Sequence, residues 1–390
     1  MADRALGRRG ALGAAIVSIA APSLAEAQDK PPADKPPAGK SRQAKPKDQA
    51  AVVATTHRGK VRGAVADGIR VFKGIPYAAS TAGANRFRAP KPATAWTGVR
   101  DALAFPPMAP QIVGRERGSI TASWTYETEY SEDCLALNVW TPGLRDQRKR
   151  PVMVWLHGGG FSALSGSRNV FDGTRLCKRG DVVVVTLNHR LNVFGHLYLA
   201  QLGGPEYAES GNAGLLDIVA ALRWVNANIA EFGGDPGNVT IFGQSGGGAK
   251  VSCLMAMPQA RGLFHRSIVQ SGSHIDALTP DEATRHAATL MAALDVKPTD
   301  VARLRALPAE RLVGAYAKVM GAAANRPNYS PVLDGGALPR LPWQPDGPAI
   351  SAAIPMMIGT TAAETTALIG APDPSTIALD GAGLRAELAP

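Results

Sequence analysis

Cysteine is scarce in this chain: Cys134, Cys177 and Cys253 are the three among 390 residues. An odd number at no metal-ligand spacing argues against a disulfide framework and against a zinc site. Long apolar runs are also missing. No stretch reaches the roughly 18 to 20 uninterrupted apolar residues of a membrane helix, so no membrane span is expected. Aromatics make up 6% and charged residues 19%. The net charge of +10 is diffuse, with nine Lys or Arg against five Asp or Glu in residues 1–50. No run interleaves basic and aromatic residues as a phosphate-tracking surface does, and nucleic-acid binding is not expected. Internal repeats of the length that builds solenoids or propellers are absent.

What remains is 45% hydrophobic residues with 42 Gly and 30 Pro, a turn-rich chain able to bury a sizeable core. Arg4, Arg8 and Arg9, an apolar run from Ala11 to Ala21 and Ala25-Glu26-Ala27 have the form of a charged n-region, an h-region and a small-residue cleavage site. Residues 1–27 therefore read as a secretory signal, with Arg8-Arg9 hinting at twin-arginine export, and the expected location is secreted or periplasmic. Residues 28–50 are rich in Lys, Pro and Asp, a composition that favours a disordered, solvated linker. Folded structure is expected from about Val52, in one domain over 51–390.

Val152 to Leu156 and Val182 to Leu187 are short apolar runs of the kind found in strands buried on both faces. Val239 to Phe242, Ser267 to Gln270 and Ile354 to Ile358 are further strand candidates. Leu215, Leu216, Val219, Leu222, Val225, Ile229 and Phe232 recur at helical steps before Gly233-Gly234-Asp235-Pro236, which predicts one amphipathic helix with a stop there. Strand, helix, strand alternation implies an α/β fold with a mostly parallel central sheet flanked by helices. Residues 276–350 carry helical spacings and read as a covering subdomain.

Gly243-Gln244-Ser245-Gly246-Gly247 follows the Val239 to Phe242 strand and precedes an apolar stretch, giving strand, sharp turn, helix. A serine held in such an elbow is exposed at a sheet end and needs tiny neighbours, which makes Ser245 the candidate nucleophile. Upstream, the strand ending at Leu156 runs into His157-Gly158-Gly159-Gly160-Phe161. Acyl transfer through a tetrahedral oxyanion needs preorganised N–H donors, and the backbone of Gly159, Gly160 and Gly246 could supply three. No Lys-Ser or Lys-Thr follows the glycines, unlike a phosphate-binding loop, and no cofactor is expected.

These motifs, with Phe72-Lys73-Gly74-Ile75-Pro76-Tyr77-Ala78, Glu132-Asp133-Cys134-Leu135-Ala136-Leu137-Asn138-Val139 and Asn188-His189-Arg190-Leu191-Asn192-Val193-Phe194-Gly195, resemble the type-B carboxylesterase and cholinesterase family. The resemblance runs from about Val52 to Gly370. It implies an α/β-hydrolase fold and a serine ester hydrolase with a Ser, Glu, His triad acting on small-molecule esters. The family's acid follows a late strand in a pattern matched by Gly359-Thr360-Thr361-Ala362-Ala363-Glu364, which makes Glu364 the candidate acid, with Ala363 a departure. Trp124 stands where cholinesterases place a tryptophan that holds a quaternary ammonium. Gln244 stands where they have a glutamate, so the resemblance implies a general ester in place of choline. The family's partner for Cys134 is missing, and Cys134 is expected to be unpaired.

None of the seven histidines follows Glu364, where the family places its base. His274, near a strand end, reads as a loop histidine, and His189, His196 and His265 as framework. By comparison with the family, the chain is expected to stop short of a histidine-bearing C-terminal portion, leaving the domain incomplete. Two functions follow: a serine esterase working through an acyl-enzyme on Ser245, or an inert or binding-only member of the same family.

Overall fold

β-Branched runs organise the centre of the molecule. The structure, a computed structural model, describes residues 51–113, 129–322, 326–364 and 380–387. The proposed export signal, the linker and Trp124 lie outside the described residues. Among those described, ten strands form one sheet. They are β1 (Ala51–Thr56), β2 (Gly59–Ala66), β3 (Ile69–Pro76), β4 (Val99–Asp101), β5 (Ala136–Thr141), β6 (Arg150–Leu156), β7 (Val183–Leu187), β8 (Gly234–Gln244), β9 (Arg266–Gln270) and β10 (Met356–Gly359). Their order is β1-β2-β3-β5-β7-β6-β8-β9-β10, with β4 beside β2. The helices are α1 (Thr174–Gly180), α2 (Asn192–His196), α3 (Ala200–Gly203), α4 (Ala213–Asn228), α5 (Gly246–Ala256), α6 (Pro280–Ala293), α7 (Val301–Ala306), α8 (Ala309–Gly321) and α9 (Gly381–Glu387).

The sheet is mixed. From β7 through β6, β8 and β9 to β10 neighbours run parallel, as the α/β alternation predicts. From β1 through β2, β3 and β5 to β7 they run antiparallel, a half that the apolar runs do not announce. β7 is buried at every residue. On β6, Met153 and Trp155 are only half-buried, and Trp155 meets Phe171 in a tilted contact and Phe242 edge-on. β10 starts at Met356, later than the Ile354 expected, and its Met357 and Ile358 side chains are 67% and 56% exposed.

α4 corrects a second expectation. It is buried on nearly all sides, including Leu215, Leu216, Ile218, Val219, Ala221, Leu222, Trp224 and Val225, because α2 and α5 pack against it as well as β8. The helix ends at Asn228, a 3₁₀ turn follows over Ile229–Phe232, and Gly233 closes it with φ 72°. Gly234 and Pro236 belong to β8, not to a helix stop. Gly234 pairs with Arg150 and Val239 with Val152, so Pro236, which has no N–H to give, falls in the irregular stretch between them. The helices α6, α7 and α8 form their own apolar cluster with Val193 and Phe194 of α2 and Leu197 just after it. Residues 326–348 of the expected covering subdomain are not helical.

The buried ion pair at the centre of this core is fully partnered. Arg190 donates from Nε and Nη2 to the two carboxylate oxygens of Asp217 at 2.8 and 2.6 Å, and from Nη1 to the Arg88 carbonyl at 2.7 Å. Burial raises the Asp217 carboxyl pKa, against the pull of Arg190. The three cysteines are buried and free, and burial pushes the Cys177 thiol up to about 12. His157, His189 and His196 are each 1% exposed. Burial drives their pKa values down, that of His196 to about 3.

Two outcomes follow. Asp217→Ala leaves a buried guanidinium unpaired and should cost about 3 to 5 kcal/mol in denaturant unfolding, whereas Arg190→Met with Asp217→Leu should recover much of that loss. The three imidazoles stay neutral in the fold but take protons once unfolded, so the unfolded chain binds more protons below about pH 6.5. Stability should then fall on acidification from that pH, by up to about 1.4 kcal/mol per pH unit for each imidazole. Urea titrations between pH 7.5 and 5.5 check this, and a flat profile would contradict it.

Candidate active site

The parallel pairing of β6 and β8 matches Leu156 with Gly243, so the chain leaves both strands at the same edge and at the same height. After Gly243 come Gln244, the last residue of β8, and Ser245. Ser245 has φ 56° and ψ −125°, outside the regions L-residues ordinarily occupy, which is the strain a nucleophile elbow stores. Its N–H donates to the Gln270 carbonyl at 2.8 Å, and its own carbonyl accepts from Ala249 at 3.1 Å. α5 begins at the next residue. Ser245 is partly exposed and Gln244 exposed.

Space around the serine is set by backbone, not by side chains. A methyl placed on Gly272 would lie 1.9 Å from the Ser245 carbonyl oxygen, and one on Gly246 would lie 2.4 Å from Gly160 N. The Cβ position of Gly158 is 3.5 Å from Ser245 Cβ. The loop after β6 therefore lies against the elbow, with Gly159 and Gly160 both left-handed at φ 81° and 58°. The Gly159 carbonyl turns away and accepts from Ser162 and Ala163 at 3.2 and 3.0 Å. Among the described residues the N–H groups of Gly159, Gly160 and Gly246 have no acceptor. Three donors gathered beside a serine hydroxyl can bind a carbonyl oxygen as it becomes negative.

The loop is held from behind. Asn192 N takes the Phe161 carbonyl at 2.7 Å, and Asn192 Nδ2 takes the carbonyls of Pro110 and Ser162 at 2.9 and 3.1 Å. Lys250 Nζ donates to the His157 carbonyl at 2.8 Å. Neither residue was singled out as functional from the sequence. The signal for Lys250 was there: one ammonium inside the apolar stretch from Ala249 to Met255.

Glu364 lies just past β10, at the same edge as Ser245. Gln244 pairs with Gln270 on β9, Gln270 with Gly359 on β10, and Ser271 N donates to the Gly359 carbonyl at 2.8 Å. The Glu364 carboxylate accepts from Thr361 N and Oγ1 at 2.8 and 3.0 Å. Those bonds, with one from Ser271, hold its pKa below the usual carboxylate range, and it stays ionised at neutral pH. None of the seven imidazoles hydrogen-bonds to Ser245 or Glu364. His57 pairs with Asn228, His265 with Val239 and His286 with Asn328. His157, His189 and His196 each turn Nδ1 to a backbone carbonyl. His274 is partly buried, its ring 5.3 Å from that of Phe161. Among the described residues no group of His, Cys, Asp and Glu could hold a metal ion, and no helix is long and apolar enough to cross a membrane.

Known proteins share this fold. The model of the carboxylesterase family matches residues 49–378. A para-nitrobenzyl esterase of Bacillus subtilis is 40% identical over 314 residues, covering 79% of this chain and 62% of that protein. A phenmedipham hydrolase of Pseudarthrobacter oxydans is 39% identical over 320 residues, covering 80% and 62%. The crystal structure of a Geobacillus stearothermophilus carboxylesterase superposes with a TM-score of 0.76 at 41% identity, covering 86% of this chain and 66% of that one. The chain thus spans about three fifths of the length of the curated relatives it matches. With an α/β-hydrolase sheet and a family match over most of its length, this chain belongs to the carboxylesterase family.

Proposed function

We propose that the site is that of a serine carboxylic-ester hydrolase, with Ser245 as nucleophile. The observation that carries this reading is the strained Ser245 at φ 56° set against a glycine loop whose N–H groups have no other acceptor. Ser245 Oγ attacks the ester carbonyl carbon, and the carbonyl oxygen, turning negative, is received by the N–H groups of Gly159, Gly160 and Gly246. The alcohol leaves with a proton and an acyl-serine remains. Water attacks it in turn, freeing the carboxylic acid and restoring the serine. The ionised Glu364 is suited to orienting an imidazole that carries the proton between serine and leaving group. Gln244 at the rim is neutral, which favours uncharged small-molecule esters over a quaternary ammonium.

A short p-nitrophenyl ester and a p-nitrobenzyl ester test this with the purified chain. Hydrolysis above background should be lost in Ser245→Ala. With no imidazole bonded to the serine, the serine-dependent rate should be low, because an unassisted hydroxyl is a poor nucleophile. A rate that Ser245→Ala leaves unchanged would sink the reading. Gly272→Ala drives a methyl into the Ser245 carbonyl oxygen, at 1.9 Å, and must displace the elbow. Misplacement on the scale of 1 Å costs about 10²-fold in rate, so serine-dependent hydrolysis should fall by that order while circular dichroism shows the sheet intact.

A further inference from the structure

Behind the glycine loop lies a buried group of ionisable side chains that the acyl-transfer scheme leaves without a role. Lys250, on the first turns of α5, is 0% exposed. Its Nζ lies 5.9 Å from the centre of the Phe161 ring, and that ring in turn meets His196 at 5.2 Å and His274 at 5.3 Å. His157 and His189 stack at 4.8 Å beside them. The groups facing the ammonium thus come from the end of β6 (His157), the turn after β7 (His189) and α2 (His196), with Cys253 on α5 itself, while the guanidiniums of Arg168 and Arg190 also act on His157 and His196, and His274, in the loop after β9, meets the far side of Phe161.

The tautomers follow from the hydrogen bonds. His157, His189 and His196 place Nδ1 at 2.9, 2.8 and 3.0 Å from the carbonyls of Gly158, Arg190 and Gly211. A carbonyl can only accept, so each Nδ1 carries the hydrogen and each Nε2 is a bare lone pair. Those three Nε2 atoms are buried with no hydrogen-bond partner, as is that of His274. Lys250 has three N–H donors and gives one to the His157 carbonyl at 2.8 Å. One buried cation therefore sits among an excess of buried acceptors, and the single protein oxygen it holds belongs to the loop that carries Gly159 and Gly160.

We propose that Lys250 is a positioning residue of the oxyanion hole: its ammonium, kept among neutral imidazoles, clamps the His157 carbonyl to the helix that starts at Ser245 and sets a positive charge behind the loop. This rests on the esterase reading for its use in catalysis, but the clamp itself is a property of the folded chain. Burial of a cation in this setting costs stability, and a fold that keeps one at the junction of the nucleophile helix and the loop gains registry between the two. The same burial brings the Lys250 pKa down to about 7, so the charge behind the loop is present below neutrality and fades above it.

The test uses the full chain and two readouts that need no turnover. In wild type with ¹⁵N-labelled histidine, the Nε2 resonances of His157, His189 and His196 should move together with a midpoint near pH 7, set by Lys250, while the rings stay neutral Nδ1–H tautomers. In Lys250→Met that movement should vanish. Hydrogen exchange of the peptide spanning residues 157–163 should quicken by about tenfold in Lys250→Met at pH 6 while β6 and β8 keep their protection, the mark of a local release. Ordinary histidine titration near pH 6.5, a shift that survives Lys250→Met, or unchanged loop exchange would each overturn the clamp. Should Lys250→Met fail to fold, Lys250→Gln, which keeps an N–H donor without the charge, takes its place in the titration, where the movement should likewise vanish. Where the esterase reading holds, Lys250→Met should lower kcat by about tenfold with KM little changed. Absence of hydrolysis in wild type counts against that reading and leaves the two spectroscopic outcomes to judge the clamp.

Discussion

The register of β6 against β8 is the constraint on which the rest of the site depends. Leu156 lies opposite Gly243, so two loops that leave a parallel sheet in the same direction emerge side by side. Parallel pairing alone does not make a site. What completes it is the absence of side chains between the loops, so that backbone meets backbone at Gly246 and Gly160, and again at Gly272 and Ser245. The three N–H groups are thereby fixed by the fold itself, the condition under which dipoles act most strongly on a charge placed beside them. The cost is local strain at Ser245, offset by a core in which β7 is wholly buried and α4 nearly so.

Local patterns made the elbow and the glycine loop legible because both glycine motifs bring their structural context with them: a β-branched run, a tight turn, then small residues. The parallel half of the sheet was legible for the same reason. The antiparallel half was not. β1 and β2 alternate exposed and buried residues with Ala and Gly among them, so their identity depends on partners elsewhere in the chain. The spacing of α4 showed one apolar face, and Ala213, Gly214 and Ala221 gave no sign that the other face is covered as well. Pro236 looked like punctuation after a helix, whereas the register shift between β6 and β8 gives a proline a place inside a strand.

Glu364 and Lys250 show the limits of pattern in opposite directions. A resemblance pointed to Glu364, and the sheet order puts it at the Ser245 edge, two strands over. Lys250 had no pattern to point to it. A lone charge in an apolar run can lie on a solvated face or in the core, and helix spacing does not distinguish the two. Tertiary packing of four imidazoles from four separate segments does, and no short-range signal in a sequence encodes such a meeting.

The buried free cysteines carry a consequence for experiment. Cys134 lies just ahead of β5, Cys177 on α1 and Cys253 on α5, and burial keeps each thiol protonated at neutral pH. A protonated, enclosed thiol is inert to alkylation, so it reacts only in moments when its own segment opens. The chain therefore carries three internal clocks in different parts of the fold. The rate at which Cys253 is alkylated, relative to the other two, times the opening of the helix that begins after Ser245 in the unmodified protein.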